Sequence, residues 1–297
     1  ALVVTLSMGI RHSFGLWLQP ITTAHGWTRE DYSLAMAVQN LVWGASAPFA
    51  GLLADKYGAG RVLAGSAVLY AIGLVLMANP IAPWFFVLSA GVLIGLGLSG
   101  VSFSVVQGVI GRRYPPEKRS MALGISAAAG SFGQFALLPF TQWLLTNVGW
   151  HGALLTLAAV GLLMVPLAIG MVEKRGHHAG HLFQQSAGEA MREALAHRGY
   201  MLLTVGFFVC GFQVVFVGVH LPAFLADRGF PPHVAVVALA LVGLFNIAGT
   251  YTTGWLGGRM PKRWILSAIY FGRAIVIALF IWLPMSLWTV YGFAVAL

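Results

Sequence analysis

Apolar residues along this chain come in long runs parted by short polar stretches. About ten runs are visible, at 1–23, 33–54, 62–78, 84–110, 120–145, 151–172, 200–225, 234–257, 264–283 and 287–297. Crossing the hydrocarbon of a bilayer takes roughly 20 apolar residues at about 1.5 Å rise each. Inside hydrocarbon every backbone N–H and C=O must be satisfied by the protein itself, and a helix does so within one segment. The runs are therefore expected to be membrane-spanning helices. A β-barrel would show short segments of alternating hydrophobicity, and the sequence has none.

Composition agrees with the pattern. Hydrophobic residues make up 59% of the 297 and charged residues 8%, whereas a soluble domain carries about 25% charged. A single water-soluble core stops growing well before it could hide that much apolar surface. The first run opens on Ala1 and is apolar from the start, and the last stops at Leu297 without a flanking anchor, so further residues are expected on both sides. The net charge of +9 is distributed unevenly. Of the 17 Lys and Arg, 13 fall in the loops joining runs 2–3, 4–5, 6–7 and 8–9, while only Arg29 and Arg228 fall in the opposite loops. Cationic loops stay in the cytoplasm. The expected protein is thus a multi-pass resident of a cell membrane, a bacterial inner or plasma membrane, with a cytoplasmic N-terminus. Nucleic acid is not an expected partner, because no basic face is interleaved with aromatics. The single cysteine, Cys210, lies within an apolar run and cannot form an internal disulfide.

One polar stretch, 173–199, divides the chain into an N-terminal bundle over 1–172 and an incomplete C-terminal bundle over 200–297. It reads as a cytoplasmic linker with an amphipathic stretch near 187–196. Its His177, His178 and His181 form either a metal-binding group or a solvated loop, and no Cys or carboxylate completes a ligand set. No metal or cofactor is expected. The second part echoes the first. Gly9 and Pro20 match Gly211 and Pro222 at an offset of 202, and Gly26-Trp27 matches Gly229-Phe230 at 203. Gly51-Leu52-Leu53 and Lys56 match Gly254-Trp255-Leu256 and Arg259, also at 203. A repeat holding six helices means two similar bundles side by side, and parallel repeats of this kind belong to transporters whose solute site lies between the halves.

The segment Gly51-Leu52-Leu53-Ala54-Asp55-Lys56-Tyr57-Gly58, followed by Arg61, closes the second helix and opens the third. Gly51 permits close helix approach, Gly58 allows the turn, and Asp55 can accept from a helix N-terminus or an arginine. Lys56 and Arg61 anchor that face, and an echo without the acid follows at 254–263, with Gly258 in the place of Asp55. With these residues the chain resembles the major facilitator superfamily over essentially its whole length, through helices 1 to 10 of a twelve-helix family. The resemblance implies two pseudo-symmetric six-helix bundles, here truncated to about ten helices, and a conformational latch formed by Asp55 and its neighbours, Gly254 and Arg259 included. Arg112-Arg113-Tyr114, Lys118-Arg119-Ser120-Met121-Ala122-Leu123-Gly124, Ala127-Ala128-Ala129-Gly130-Ser131-Phe132-Gly133 and His220-Leu221-Pro222 are similar to the monocarboxylate porter branch. That branch places a cation in helix 1, near Arg11-His12, and usually an acid and an arginine in helix 8, where this chain has Asn246 and Thr250. Gly95-x-Gly97-x-x-Gly100 spells a dinucleotide fingerprint but lies inside the fourth apolar run, where small residues serve helix packing.

An ionisable group at bilayer depth costs at least roughly 2.5–3.5 kcal/mol and tends to have a task. Arg11 falls near the middle of the first run with His12 after it, and Arg273 mid-way along the ninth. Arg11 either binds an anionic solute or pairs with a carboxylate elsewhere. Arg273 lies on a helix that the resemblance puts at the periphery, where a structural pairing competes with a role in binding. His220 is either a ligand or a satisfied polar residue. Asn40, Gln134 and Asn246 add polarity within spans. All eight carboxylates (Glu30, Asp31, Asp55, Glu117, Glu173, Glu189, Glu193 and Asp227) lie in loops or at helix ends. Cations within spans and acids outside them point to an anion. The expectation is a monomeric secondary transporter moving a monocarboxylate-like solute by alternating access. Arg11, His12, His220, Asn40, Gln134, Asn246 and Arg273 are its candidate binding residues, and His12 or His220 the candidate carriers of a coupling proton. An efflux carrier of hydrophobic or cationic compounds is the alternative on the same fold. An enzyme is not expected, because no cluster of His, Asp, Glu or Cys converges on one face.

Overall fold

The computed structural model describes residues 1–170, 187–257 and 259–297. It is all α among those residues. The first helix, α1, runs over Leu2–His12, tightens to a 3-10 turn at Ser13–Leu16 and continues over Leu18–His25. Next come α2 (Arg29–Tyr57), α3 (Ala59–Ala78) and α4, which spans Pro83–Arg113 with a π-helical stretch at Val87–Leu93. A long helix, Pro116–Leu162, breaks at Gly149 (φ 70°, ψ 173°) into α5 (116–148) and α6, which starts at 150 and continues over Met164–Ile169. A short helix, Ala187–Ala196, falls on the stretch expected to be amphipathic and leads to α7 (Arg198–Asp227), α8 (Pro232–Leu256), α9 (Lys262–Trp282) and α10 (Leu287–Ala296). His177, His178, His181 and Gly258 lie outside the described residues.

Among the described residues, six helices are long and apolar enough to cross a membrane. One of these, Met121–Ile169, holds both α5 and α6. Most helices begin before their apolar runs do. α2 begins at Arg29 because Thr28 and Asp31 form a reciprocal capping box there, and it ends at Gly58, whose φ of 94° suits only glycine. Gly26 (φ 67°) and Gly229 (φ 81°) both take the left-handed conformation after α1 and α7, so this echo in sequence is also one in backbone geometry. Short connections place successive helices antiparallel. The α1–α2, α3–α4, α5–α6, α7–α8 and α9–α10 loops share one side, called the odd-loop side here. His151 meeting Asn79 at 3.1 Å ties the start of α6 to the α3–α4 loop.

Two groups of buried apolar side chains organise the packing. One is built from α1 to α6 with Val219 and Ala223 of α7, the other from α7 to α10 with Leu16 and Leu138. Glycines bring backbones together inside the first group. A Cβ on Gly95 would stand 2.8 Å from the Gln39 carbonyl, one on Gly97 2.8 Å from the Tyr70 backbone, and one on Gly9 2.6 Å from the Gly133 carbonyl. The dinucleotide-like string is therefore a packing surface, as expected for lipid-embedded helices.

Candidate functional site

Successive helical residues point about 100° apart, so Arg11 and His12 cannot face the same way. His12, with Met8 one turn before it, lines a cavity of about 150 Å³ between the two packing groups. Gln134 and Ser131 on α5, Phe103 on α4, Gln213 and Val217 on α7, Asn246 on α8 and Arg273 on α9 complete most of the wall. The lining residues include one guanidinium, one imidazole and several amides, but no carboxylate. Arg273 reaches the wall on its long apolar stem although its helix was expected to be peripheral. Its Nε donates to the Leu297 carbonyl at 3.2 Å and its Nη1 lies 3.6 Å from Cys210 Sγ, a weak acceptor.

Arg11 faces the interior of the first packing group and is only 6% exposed. Its Nη2 donates to Asn40 Oδ1 at 2.9 Å, and the Asn40 amide donates to the Met36 carbonyl at 2.6 Å. The guanidinium lies 5.7 Å from the Phe14 ring centroid, and its Nε has no partner among the described residues. Tyr32 ties the same stretch down by donating to the Phe14 carbonyl at the 3-10 turn. The structure thus joins Arg11 to Asn40 and separates both from the cavity wall that holds His12, Gln134, Asn246 and Arg273. His220 also stands off that wall, half-buried with its ring 5.0 Å from Phe216. Sequence reasoning missed the apolar lining, Met8, Phe103 and Val217, because nothing in an all-apolar run separates a cavity-facing valine from a lipid-facing one.

Asp55 has its partner on α4: Arg112 Nη1 donates to Asp55 Oδ1 at 2.7 Å. The other cations of the motif and its echo are placed otherwise. Lys56 lies 5.3 Å over the Tyr57 ring, Arg61 is exposed, and Arg259 stacks 3.7 Å over Trp255 one turn earlier. Gly51 was expected to permit close helix approach, yet nothing described lies within 4 Å of where its Cβ would stand, nor of where that of the echoing Gly254 would.

The model of the Major Facilitator Superfamily matches residues 1–297. The chain belongs to the major facilitator superfamily. Monocarboxylate transporter 13 of Bos taurus is 27% identical over 256 residues, covering 86% of this chain and 59% of its own length. Monocarboxylate transporter 11 of Mus musculus is 28% identical over 260 residues, covering 84% of this chain and 56% of its own. The chain therefore spans under three fifths of the length of these two relatives. Among solved structures, a bacterial homologue of the human lysosomal transporter Spinster, inward-facing and unoccupied, superposes with a TM-score of 0.71 at 17% identity. The match covers 99% of this chain and 72% of that one. That likeness is one of fold: a major facilitator arrangement of membrane-spanning helices, in a family that carries small molecules across membranes.

Proposed function

We propose that the chain is the larger part of a secondary active transporter, rather than an enzyme, that moves a small monocarboxylate-like anion by alternating access. The observation that carries this reading is the cavity wall between the packing groups, which among the described residues holds Arg273 and no carboxylate. A half-buried guanidinium on a membrane-embedded wall attracts a carboxylate and can hold it bidentately. The similarity to monocarboxylate transporters supports the same class of solute. In this reading 1–172 and 200–297 are the two rocking bundles, 173–199 is a cytoplasmic linker, and the even-loop side with the N-terminus faces the cytoplasm of a cell, a bacterial one by expectation. The carrier acts as a monomer. Arg273, His12, Gln134 and Asn246 contact the solute. Arg11, held by Asn40, adds positive potential from behind α1, and His220 sits beyond the cavity towards the odd-loop side.

Uptake by proteoliposomes carrying the full-length protein tests the class of solute. Labelled lactate should accumulate and be displaced by other short monocarboxylates. Displacement by lipophilic cations alone would favour the efflux reading, which the aromatic-rich spans would suit. Arg11→Ala should lower lactate uptake less than Arg273→Ala does, and the reverse order would put the solute against Arg11. Proton coupling, if carried by His12, requires that an inward-directed proton gradient stimulate uptake in the parent and not in His12→Gln; stimulation surviving in His12→Gln and lost in His220→Gln would move the role to His220.

The motif around Asp55, with Gly51, Lys56, Gly58, Arg61, Gly254 and Arg259, is the proposed inner latch, and its tie to Arg112 supports that. Asp55→Asn keeps the size and removes the charge. The expected result is a several-fold slower exchange of solute with an unchanged melting temperature, measured by counterflow and by nanoscale fluorimetry. Unchanged exchange would relieve Asp55 of the role.

A further inference from the structure

Helix α4 does not run unbroken. At Ser102 the backbone turns extended, with φ −86° and ψ −168°, and helix resumes at Phe103. A break within a membrane span frees backbone carbonyls that only the protein can satisfy. Ser7 on α1 donates to the Val101 carbonyl at 3.0 Å, and Ser104 donates to the Ser99 carbonyl at 3.1 Å. Trp43 on α2 donates to the Ser102 hydroxyl at 3.1 Å. The break turns Phe103 away from the direction that a continuous helix would give it, and its ring comes to rest on α5. A Cβ on Gly130 would stand 2.7 Å from Phe103 Cζ, so the ring lies against glycine backbone. From there Phe103 joins the cavity wall beside Met8 and Gly130.

We infer that Phe103 sets the size of the solute, and that the cavity takes short-chain acids and turns away those that carry a ring. The inference rests on the reading of this cavity as the solute site. The cavity holds about 150 Å³, and a cavity of that size takes one molecule as large as benzene. Lactate has as many non-hydrogen atoms as benzene. With its carboxylate on Arg273, its methyl end turns to the wall built on the first packing group, where Phe103 stands. Phe103 carries the one phenyl ring that the described residues put on the wall. A longer solute has to displace that ring, and the ring cannot retreat towards α5, where the Gly130 backbone already lies against it. Apolar pockets discriminate by about 10- to 200-fold for a single methylene, so a whole phenyl group should be excluded at least as strongly.

Probes in pairs that differ by one phenyl group separate the size filter from the charge of the solute. One pair is lactate with phenyllactate, the other tetramethylammonium with benzyltrimethylammonium. Uptake of each is measured in proteoliposomes of the full-length protein. The parent should favour lactate over phenyllactate by about 10-fold or more. Phe103→Ala opens the room of one benzene ring and should raise the ratio of phenyllactate to lactate by about 10-fold. Phe103→Leu should raise it less, and it keeps most of the apolar filling if alanine fails to fold. A shift confined to the cation pair leaves the filter standing and overturns the anion reading. Lactate uptake with a ratio indifferent to both substitutions overturns the filter alone. Ratios unchanged in both pairs overturn the filter as well, because a purely structural role lowers both members of a pair together.

Discussion

Arg273→Ala should lower the initial rate of lactate uptake by about 10- to 100-fold. A hydrogen bond to a charged group is worth about 1.5–3 kcal/mol, and each 1.4 kcal/mol is a factor of about ten. The wall of the cavity has no other guanidinium among its lining residues. Arg273→Lys retains the charge but loses the planar fork, so it should fall between the parent and alanine. Folding should survive, because the partners of Arg273 among the described residues are a carbonyl and a thiol that lose little when released. The measurement is uptake into proteoliposomes at equal reconstituted protein, alongside a melting curve for each variant. Uptake within twofold of the parent in Arg273→Ala would remove the anion from this wall.

The second large effect is on folding. Gly133→Leu should abolish recovery of monodisperse protein from detergent, or lower its melting temperature by several degrees. A Cβ on Gly133 would overlap the Thr5 carbonyl, and Gly9 of α1 faces the Gly133 carbonyl in return. The obstacle is backbone on both sides, so it cannot be relieved by turning a side chain. Inserting atoms into such a contact costs typically about 1–3 kcal/mol, occasionally more. Gly124→Ala is the control. It lies on the same helix with nothing within 4 Å of its added carbon, and alanine favours a helix interior by about 0.5–1 kcal/mol over glycine. Size-exclusion chromatography and thermal melts separate the two outcomes. Equal behaviour of both variants would mean that α1 and α5 are not packed as closely as described.

The spans were legible because hydrocarbon leaves the backbone no alternative to a helix. Their ends were less so. α2 extends from Arg29 to Tyr57, beyond its apolar run at 33–54, because capping groups and a glycine turn, not hydropathy, end a helix. The identity of Gly95, Gly97 and Gly100 as packing residues was readable, since small residues in an apolar run have few other uses. The partner of Asp55 was not, because Arg112 lies 57 positions away and nearer cations competed on paper. Arg29 and Asp227, 198 positions apart, carried no sequence signal that they meet.

Sequence alone determined the solvent, the secondary structure, the repeat and the family, because each of these follows from composition, run length and local motif. Which face of α1 looks into the cavity was decided by tertiary structure. There Asn40 holds Arg11 inward, Tyr32 ties down the adjoining turn at Phe14, and His12 is left on the wall. A chain records the order of its residues, while a cavity is made by the angle at which distant helices meet, and that angle is set by glycine contacts and long-range polar pairs that no single run contains.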